Sequence, residues 1–157
     1  MNLNNFTFNT TSGIRFGSGM SVSSSEEICK ILGSNILFIT DKDLMSLKLT
    51  EPTLNELKKF SSKVEIFEDV EADPSLKTLL NSIEIGKKMN ATGVIGFGGG
   101  SSMDVAKLTS LILGSDENIE EIWGVSNAKG PRLPLVLVPT TAGTGSEVTP
   151  ISIITVG

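Results

Sequence analysis

The stretch of sequence that decides the fold is GVIGFGGGSSMDVAK, residues 93–107. A short apolar run leads into three consecutive glycines and two serines, and an apolar-periodic segment follows. This order is typical of a strand, a glycine-rich turn and a helix. Glycine lets the backbone come close to a ligand, and the free N–H groups at the start of the helix attract an anion. A phosphate-bearing ligand is therefore the first functional prediction.

Strand-like and helix-like segments alternate along the rest of the chain. Buried strands are predicted at residues 35–40, 93–97 and 135–138, and an alternating strand at 63–67. Helices are predicted at residues 24–32, from Pro52 to Phe60, from Asp73-Pro74 to about Met89, and at 101–113. This order favours an α/β fold with a doubly wound, mainly parallel sheet and helices on both faces, which is a Rossmann-like arrangement. A strand-like run at residues 151–156 has no partner visible in the sequence, which hints that the chain is incomplete.

The composition is that of a globular protein with the length of one domain. The chain has 157 residues, of which 39% are apolar and 20% charged, and its net charge is −5. Because no run of Lys or Arg exceeds a pair, nucleic acids and anionic membranes are not expected as partners. Residues 1–9 lack the pattern of a signal peptide, and no apolar run approaches the ~20 residues of a membrane span, which favours a cytoplasmic location. The single cysteine, Cys29, is expected to be a buried core thiol.

Histidine and tyrosine are both absent from the sequence. Without an imidazole the chain has no Ser-His or Cys-His pair and no histidine-based metal site. Any catalysis by this chain alone would have to use carboxylates, lysines or hydroxyls.

Three polar segments follow predicted strands, where parallel sheets bind their ligands. They are Asp41, a glycine-rich turn (residues 98–102) and a hydroxyl-rich segment (residues 140–149). The glycine-rich turn matches neither the dinucleotide fingerprint nor the P-loop, so a tight turn without a ligand remains an alternative. The hydroxyl-rich segment is suited to phosphates or a ribose, but an ordinary turn has the same composition. Asp104 is expected in the first helical turn, where the dipole stabilises it with or without a ligand, and the simplest interpretation of Lys107 is a solvent-facing side chain.

A dinucleotide site also needs an acidic residue for the ribose. Glu120 and Glu121 lie near the usual spacing after the glycines, but no strand precedes them, so they are interpreted as solvated residues. Asp41 has the right position after a strand, although it precedes the glycine-rich turn. If Asp41 binds the ribose, the connectivity is not the standard one.

Two segments, GGGSSMDVAK (98–107) and PTTAGTGSEVTP (139–150), together resemble the iron-containing alcohol dehydrogenase family. The resemblance runs from about Phe6 to the last residue, and its more specific part is the second segment. It covers only the family's N-terminal half. It implies that residues 1–157 are one NAD(P)-binding domain and that the family's second, helical domain is absent.

The resemblance implies a set of residues that bind the cofactor. Gly99, Gly100 and Ser101 would bind the pyrophosphate of NAD(P), with Asp104 close by. Asp41 would lie at the adenosine ribose, where it would repel a 2′-phosphate, so NAD is favoured over NADP. Asp73 is a weaker match near the cofactor. The hydroxyl-rich segment would contribute Thr140 and Thr141, which meet the nucleotide, with Thr144, Ser146 and Thr149 near them.

In the family, the helical domain supplies an Asp and several His ligands for Fe²⁺ or Zn²⁺, and the metal polarises the alcohol oxygen during hydride transfer. This chain stops before those positions, so we expect no catalytic or metal-binding residues in it and no activity on an alcohol or aldehyde by itself. One alternative is a non-catalytic nucleotide-binding or regulatory module. Another is a degenerate remnant, whose exposed surface would favour a homo-oligomer or aggregation.

Overall fold

The computed structural model describes residues 10–156. The predictions for residues 1–9, namely the lack of a signal peptide and the start of the resemblance at Phe6, lie outside this range. The strands are β1 (Asn35–Ile39), β2 (Lys63–Phe67), β3 (Gly93–Gly98) and β4 (Leu135–Pro139). The helices are α1 (Met20–Ser23), α2 (Ser25–Leu32), α3 (Lys42–Ser46), α4 (Glu51–Phe60), α5 (Leu76–Met89) and α6 (Gly100–Ser115), with a 3₁₀ turn at Ile119–Glu121. No helix within residues 10–156 is long and apolar enough to cross a membrane.

The four strands form one parallel sheet in the order β2-β1-β3-β4. From β1 the chain moves outward to β2, and from β3 it moves outward in the opposite direction to β4. The two central strands therefore flank the switch point of a doubly wound sheet, where a crevice for a ligand opens at the carboxyl ends of the strands. The predicted fold class is confirmed.

Apolar side chains cover both faces of the sheet. On one face, Leu37 and Ile39 of β1 pack in a cluster with residues of α5 and α6. On the other face, Ile36 and Phe38 pack with residues of α2 and α4. Cys29 lies in this second cluster, and burial raises the pKa of its thiol. The cysteine is therefore the core thiol that the sequence predicts.

The helix predicted from Asp73-Pro74 begins later, at Leu76. Asp73 has a φ of 53°, a left-handed conformation that a helix cannot contain. Ser75 is the N-cap, and its hydroxyl accepts a hydrogen bond from the Thr78 N–H at 3.2 Å. The helix starts where this cap satisfies a free amide.

Residues 151–156 do not form the predicted strand. The Ile153 N–H donates to the Asp104 carboxylate, and the Thr155 N–H donates to the Pro74 carbonyl at 2.9 Å. The only bridge at residues 151–156 is a single parallel one between Thr155 and Ser75. A side chain and a turn take the backbone hydrogen bonds that a neighbouring strand would have used.

Glu71 fixes the loop that holds Thr155. Its carboxylate accepts hydrogen bonds from the Thr78 hydroxyl at 2.6 Å and from the Ser75 N–H at 3.0 Å. Partial burial acts to raise the pKa of Glu71, but these hydrogen bonds outweigh it and lower the pKa from 4.5 to about 2. The carboxylate therefore stabilises the fold fully above its unfolded pKa, and that contribution is lost as the pH falls through about 2.

Replacing Glu71 with Gln should lower the melting temperature at pH 7, because the ionised form accepts the stronger hydrogen bonds. The difference from the wild type should shrink as the pH falls from 4.5 to about 2, the interval between the two pKa values. Thermal unfolding followed by circular dichroism across this range measures both effects. Glu120→Gln, at an exposed position, is the control, and a pH-independent difference for Glu71→Gln would contradict the assignment.

Helix α6 packs closely against the loop that leads into β4. A Cβ atom on Gly114 would lie 2.5 Å from the Leu133 nitrogen and 2.6 Å from the Arg132 carbonyl carbon. Two hydrogen bonds hold this contact: the Leu133 N–H donates to the Ser110 carbonyl at 2.9 Å, and the Ser110 hydroxyl donates to the Leu133 carbonyl at 2.7 Å. Only glycine allows the helix and the loop to approach this closely.

Replacing Gly114 with Ala should lower the free energy of unfolding by about 1 kcal/mol, the middle of the net range of the two effects. Overpacking against backbone costs roughly 1–3 kcal/mol, which offsets the ~1 kcal/mol that alanine gains over glycine in a helix. Chemical denaturation measures the change. In the control Gly13→Ala, the new Cβ would meet no atom within 4 Å, so its stability should stay within about 0.5 kcal/mol of the wild type. Unchanged stability of Gly114→Ala would show that the loop moves freely.

Candidate functional site

The carboxyl ends of β1, β3 and β4 meet at one edge of the sheet and bring the three predicted segments together. Asp41 follows β1, the glycine-rich turn follows β3, and Thr140 follows β4. The Thr140 N–H donates to the Gly98 carbonyl at 2.9 Å, so the contact between β3 and β4 continues into the site. The Oδ2 atom of Asp41 lies 3.3 Å from the point where a Cβ on Gly98 would stand. The convergence predicted from the sequence is present in the fold.

The glycine-rich turn leads directly into α6. Gly99 is the N-cap, and no side chain caps the first turn of the helix. The first N–H groups of a helix have no partner within it and carry a partial positive charge. A Cβ on Gly98 would lie only 2.6 Å from the Ser102 hydroxyl, so glycine is needed for the close approach. This arrangement presents backbone amides to an anion, and half-buried Ser101 lies in the same first turn.

Two threonines of the hydroxyl-rich segment lie beside this helix terminus. A Cβ on Gly99 would be 3.6 Å from the Thr141 hydroxyl, and a Cβ on Gly100 would be 3.4 Å from the Thr144 methyl carbon. Thr141 and Thr144 are both exposed, whereas the two glycines are half-buried. A side chain at either glycine would therefore pack against a threonine, so the glycines leave the gap between the helix terminus and the threonine side chains unfilled.

Asp41 both caps a helix and borders the glycine-rich turn. Its Oδ1 atom accepts a hydrogen bond from the Leu44 N–H at 2.9 Å, which caps α3. This bond fixes the side chain and leaves Oδ2 near Gly98. The carboxylate of Asp41 therefore lies beside the glycine-rich turn.

Two buried polar atoms near the site have no hydrogen-bond partner within residues 10–156. They are the hydroxyl of Thr40, which is 0% exposed at the end of β1, and the Oε2 atom of Glu147 in the hydroxyl-rich segment. Buried polar groups are normally hydrogen-bonded. Sequence reasoning did not select either residue, because only burial in the folded chain makes them unusual.

Asp104 and Lys107 lie in surroundings that the sequence did not predict. Because α6 begins at Gly100, Asp104 falls in the second helical turn instead of the first. Lys107 is 9% exposed, so the interpretation of a solvent-facing side chain is wrong. Its Nζ atom lies 2.9 Å from Asp104 Oδ1, and the two residues form a buried ion pair on one face of the helix.

The carboxylate of Asp104 binds residues that follow β4. Its Oδ1 atom accepts from the Ser146 hydroxyl, and its Oδ2 atom accepts from the Ile153 N–H at 2.9 Å. Ser146 is consequently buried, and exposed Thr149 reaches this network through its carbonyl, which accepts from Lys107 at 3.4 Å. Two of the predicted cofactor residues, Asp104 and Ser146, thus bind each other.

The remaining candidates lie on the surface. Asp73 is exposed in the loop before α5, where the Thr155 N–H donates to the neighbouring Pro74 carbonyl at 2.9 Å. Glu120 and Glu121 are exposed in the 3₁₀ turn, as the sequence predicted. Within residues 10–156 there is no group of three or more His, Cys, Asp or Glu side chains that could hold a metal ion.

Comparison with known proteins identifies the family. A family model described as iron-containing alcohol dehydrogenase matches residues 11–157. The chain belongs to the iron-containing alcohol dehydrogenase family. The resemblance seen in the two sequence segments is therefore confirmed.

Two curated relatives of this chain illustrate the match. Sulfoacetaldehyde reductase of Bilophila wadsworthia (strain 3_1_6) is 30% identical over 149 residues, which cover 95% of this chain and 38% of that protein. NAD-dependent methanol dehydrogenase of Bacillus methanolicus is 34% identical over 119 residues, which cover 76% of this chain and 31% of that protein. The chain thus spans well under half the length of both relatives.

A solved structure of a further relative has the same fold. Sulfoacetaldehyde reductase from Bifidobacterium kashiwanohense in complex with NAD⁺ matches with a TM-score of 0.82 and 29% identity. The match covers 97% of this chain and 40% of that one.

Proposed function

We propose that this chain is the nucleotide-binding domain, residues 1–157, of an NAD-dependent, metal-dependent alcohol dehydrogenase. The observation that carries the proposal is the uncapped N terminus of α6 at the switch point of the sheet, bordered by Asp41, Thr141 and Thr144. The relative from Bacillus methanolicus is named as NAD-dependent, and the one from Bifidobacterium kashiwanohense is a complex with NAD⁺.

The chemistry of the described residues suits a dinucleotide. A pyrophosphate suits the uncapped amides of α6, and no side chain at Gly99 or Gly100 obstructs the approach to them. The Thr141 hydroxyl lies beside Gly99 and can donate to a phosphate oxygen. Thr144 turns its methyl carbon toward Gly100, and its hydroxyl accepts from the Ser146 N–H at 3.4 Å.

Each part of the site has a distinct task in this proposal. The α6 terminus, with Ser101, holds the pyrophosphate, and Asp41 accepts hydrogen bonds from the adenosine ribose. Thr140 and Thr149 mark the two ends of the hydroxyl-rich segment that borders the nucleotide. When bound, NAD accepts or supplies the hydride. The chain's own residues bind and orient the nucleotide.

We infer that the metal, Fe²⁺ or Zn²⁺, and the alcohol or aldehyde substrate are held by residues outside this domain. The support is the length of the relatives, together with the lack of a metal-binding cluster in residues 10–156. Truncation relative to the full enzyme, a cytoplasmic location and a homo-oligomeric state are parts of the same proposal. The free, buried Cys29 is in keeping with a reducing compartment.

A non-catalytic nucleotide-binding or regulatory module is the second candidate function. It is favoured by the absence of histidine from the sequence. Both candidates bind NAD, so they differ in what the gene encodes after Gly157. A continuous reading frame into a helical segment with histidines supports the dehydrogenase, and a stop codon there supports the module.

Replacing Gly99 with Val should reduce NAD affinity at least tenfold, because the branched side chain fills the space between the turn and Thr141. Isothermal calorimetry on the intact chain, with circular dichroism to verify folding, measures the change. The wild type should bind NAD weakly. Gly13→Val introduces the same side chain where no atom lies within 4 Å of the new Cβ, and it should bind like the wild type. A folded wild-type chain that binds neither NAD nor NADH would refute the proposed function.

Replacing Asp41 with Asn should reduce the preference for NAD over NADP by about tenfold, equivalent to ~1.4 kcal/mol. Asparagine keeps the cap on α3, because Asn and Asp are equally good N-caps, but it removes the charge that repels a 2′-phosphate. The ratio of the two dissociation constants measures the effect. Asp43→Asn removes the same charge from an exposed position in the first turn of α3 and should leave the ratio unchanged. An equal change in both variants would show that Asp41 does not contact the ribose.

A further inference from the structure

The ion pair of Asp104 and Lys107 needs a physical explanation. The two side chains are only 11% and 9% exposed, and no part of the proposed function uses their charges. Taking two charges out of water is costly, and an apolar pair of the same volume often stabilises a protein as well or better. A contribution to core stability alone therefore does not account for this pair.

The partners of the pair outside α6 come from residues 146–153. The Lys107 ammonium donates to the Ser146 carbonyl at 3.0 Å, to the Thr149 carbonyl at 3.4 Å and to the Ile151 carbonyl. Asp104 accepts from the Ser146 hydroxyl and from the Ile153 N–H. An ammonium has three N–H donors, and three carbonyl oxygens and the Asp104 carboxylate surround this one. All three donors therefore have an acceptor.

This part of the chain has little regular structure of its own. Residues 140–154 contain neither helix nor strand, and Gly143 and Gly145 have φ angles of 99° and 67°. A backbone hydrogen bond within this stretch joins the Val148 N–H to the Gly145 carbonyl at 3.0 Å. Irregular, exposed segments open easily unless specific contacts hold them. The ion pair supplies those contacts.

The same helix carries the ion pair and the anion-binding terminus. Asp104 is four residues after Gly100, which corresponds to about 6 Å along a helix. Thr144 lies beside Gly100 and precedes Ser146 by two residues. Fixing Ser146 to α6 therefore fixes the position of Thr144 relative to the first amides of the helix.

We propose that Asp104 and Lys107 are positioning residues of the nucleotide site, which fasten residues 146–153 to α6 so that the hydroxyl-rich segment stays in place beside the helix terminus. This inference rests on the proposed function and deepens it. Asp104 then acts on the cofactor through Ser146 and the backbone, without contacting the pyrophosphate.

The test uses two variants and a matched control in the intact chain. Lys107→Met removes the ammonium but leaves the Asp104 carboxylate buried and unpaired, which can unfold the domain. The double variant Asp104→Asn, Lys107→Met removes both charges at similar volume and keeps a folded protein available. Thr109→Val is the control, because it removes a buried hydrogen bond from the same helix, to Ser82 at 2.6 Å, without touching residues 146–153.

Two measurements separate positioning from general stability. In the double variant, hydrogen exchange of the amides of residues 146–153 should become at least tenfold faster, while the amides of β1 and β3 stay protected. NAD affinity by calorimetry should fall at least tenfold. Thr109→Val should leave both the exchange of this segment and the NAD affinity unchanged, even if its melting temperature falls as much as that of the double variant.

Three results would overturn the inference. Unchanged exchange of residues 146–153 in the double variant would show that the ion pair does not hold them. Faster exchange with wild-type NAD affinity would show that the held segment does not shape the site. A loss of NAD affinity in Thr109→Val equal to that in the double variant would show that the affinity falls because the domain is less stable. A wild-type chain that binds no NAD would refute the proposed function instead, and the exchange measurement would still decide whether the pair holds the segment.

Discussion

The parallel pairing of β1, β3 and β4 is the constraint on which the rest of this structure depends. It sends the carboxyl ends of three strands to one edge of the sheet, although the segments that follow them are far apart in the chain. Burial on both faces secures the pairing, because Ile36 and Leu37 pack into different cores. A one-residue register shift would move each side chain of a strand to the opposite face and disrupt the packing of both cores, so the positions of Asp41, Gly98 and Thr140 follow from the packing of the sheet.

The site presents backbone amides to an anion, with a carboxylate at its edge. A helix terminus can hold a pyrophosphate with N–H groups and its dipole, so a chain of net charge −5 needs no basic side chain at this position. Lys107 is close in sequence to the glycine-rich turn, but its ammonium binds backbone carbonyls and Asp104. In the proposed function, one helix has two tasks: its N terminus binds the anion, and the residues one to two turns later attach the hydroxyl-rich segment.

Predictions from the sequence succeeded where the determining contacts are local or periodic. The strand, turn and helix of residues 93–107 follow from an apolar run, consecutive glycines and helical spacing, which are visible within fifteen residues. Predictions from the sequence failed where groups distant in the chain take the backbone hydrogen bonds. Residues 151–156 have the composition of a strand, yet Asp104 and the turn at Pro74 take their hydrogen bonds. Lys107 has the composition of a surface residue, and only the folding of residues 146–151 over α6 buries it.

The sequence by itself determined the parallel α/β sheet, the three polar segments at the strand ends and the family, because each is written in short patterns of residue type. The tertiary structure alone decided how these segments meet. It placed Thr141 and Thr144 beside the glycines, turned Asp41 toward Gly98 and buried the Asp104–Lys107 pair. The physical reason is that these contacts join residues more than forty positions apart or depend on burial. Neither distance in space nor desolvation can be read from neighbouring residues along the chain.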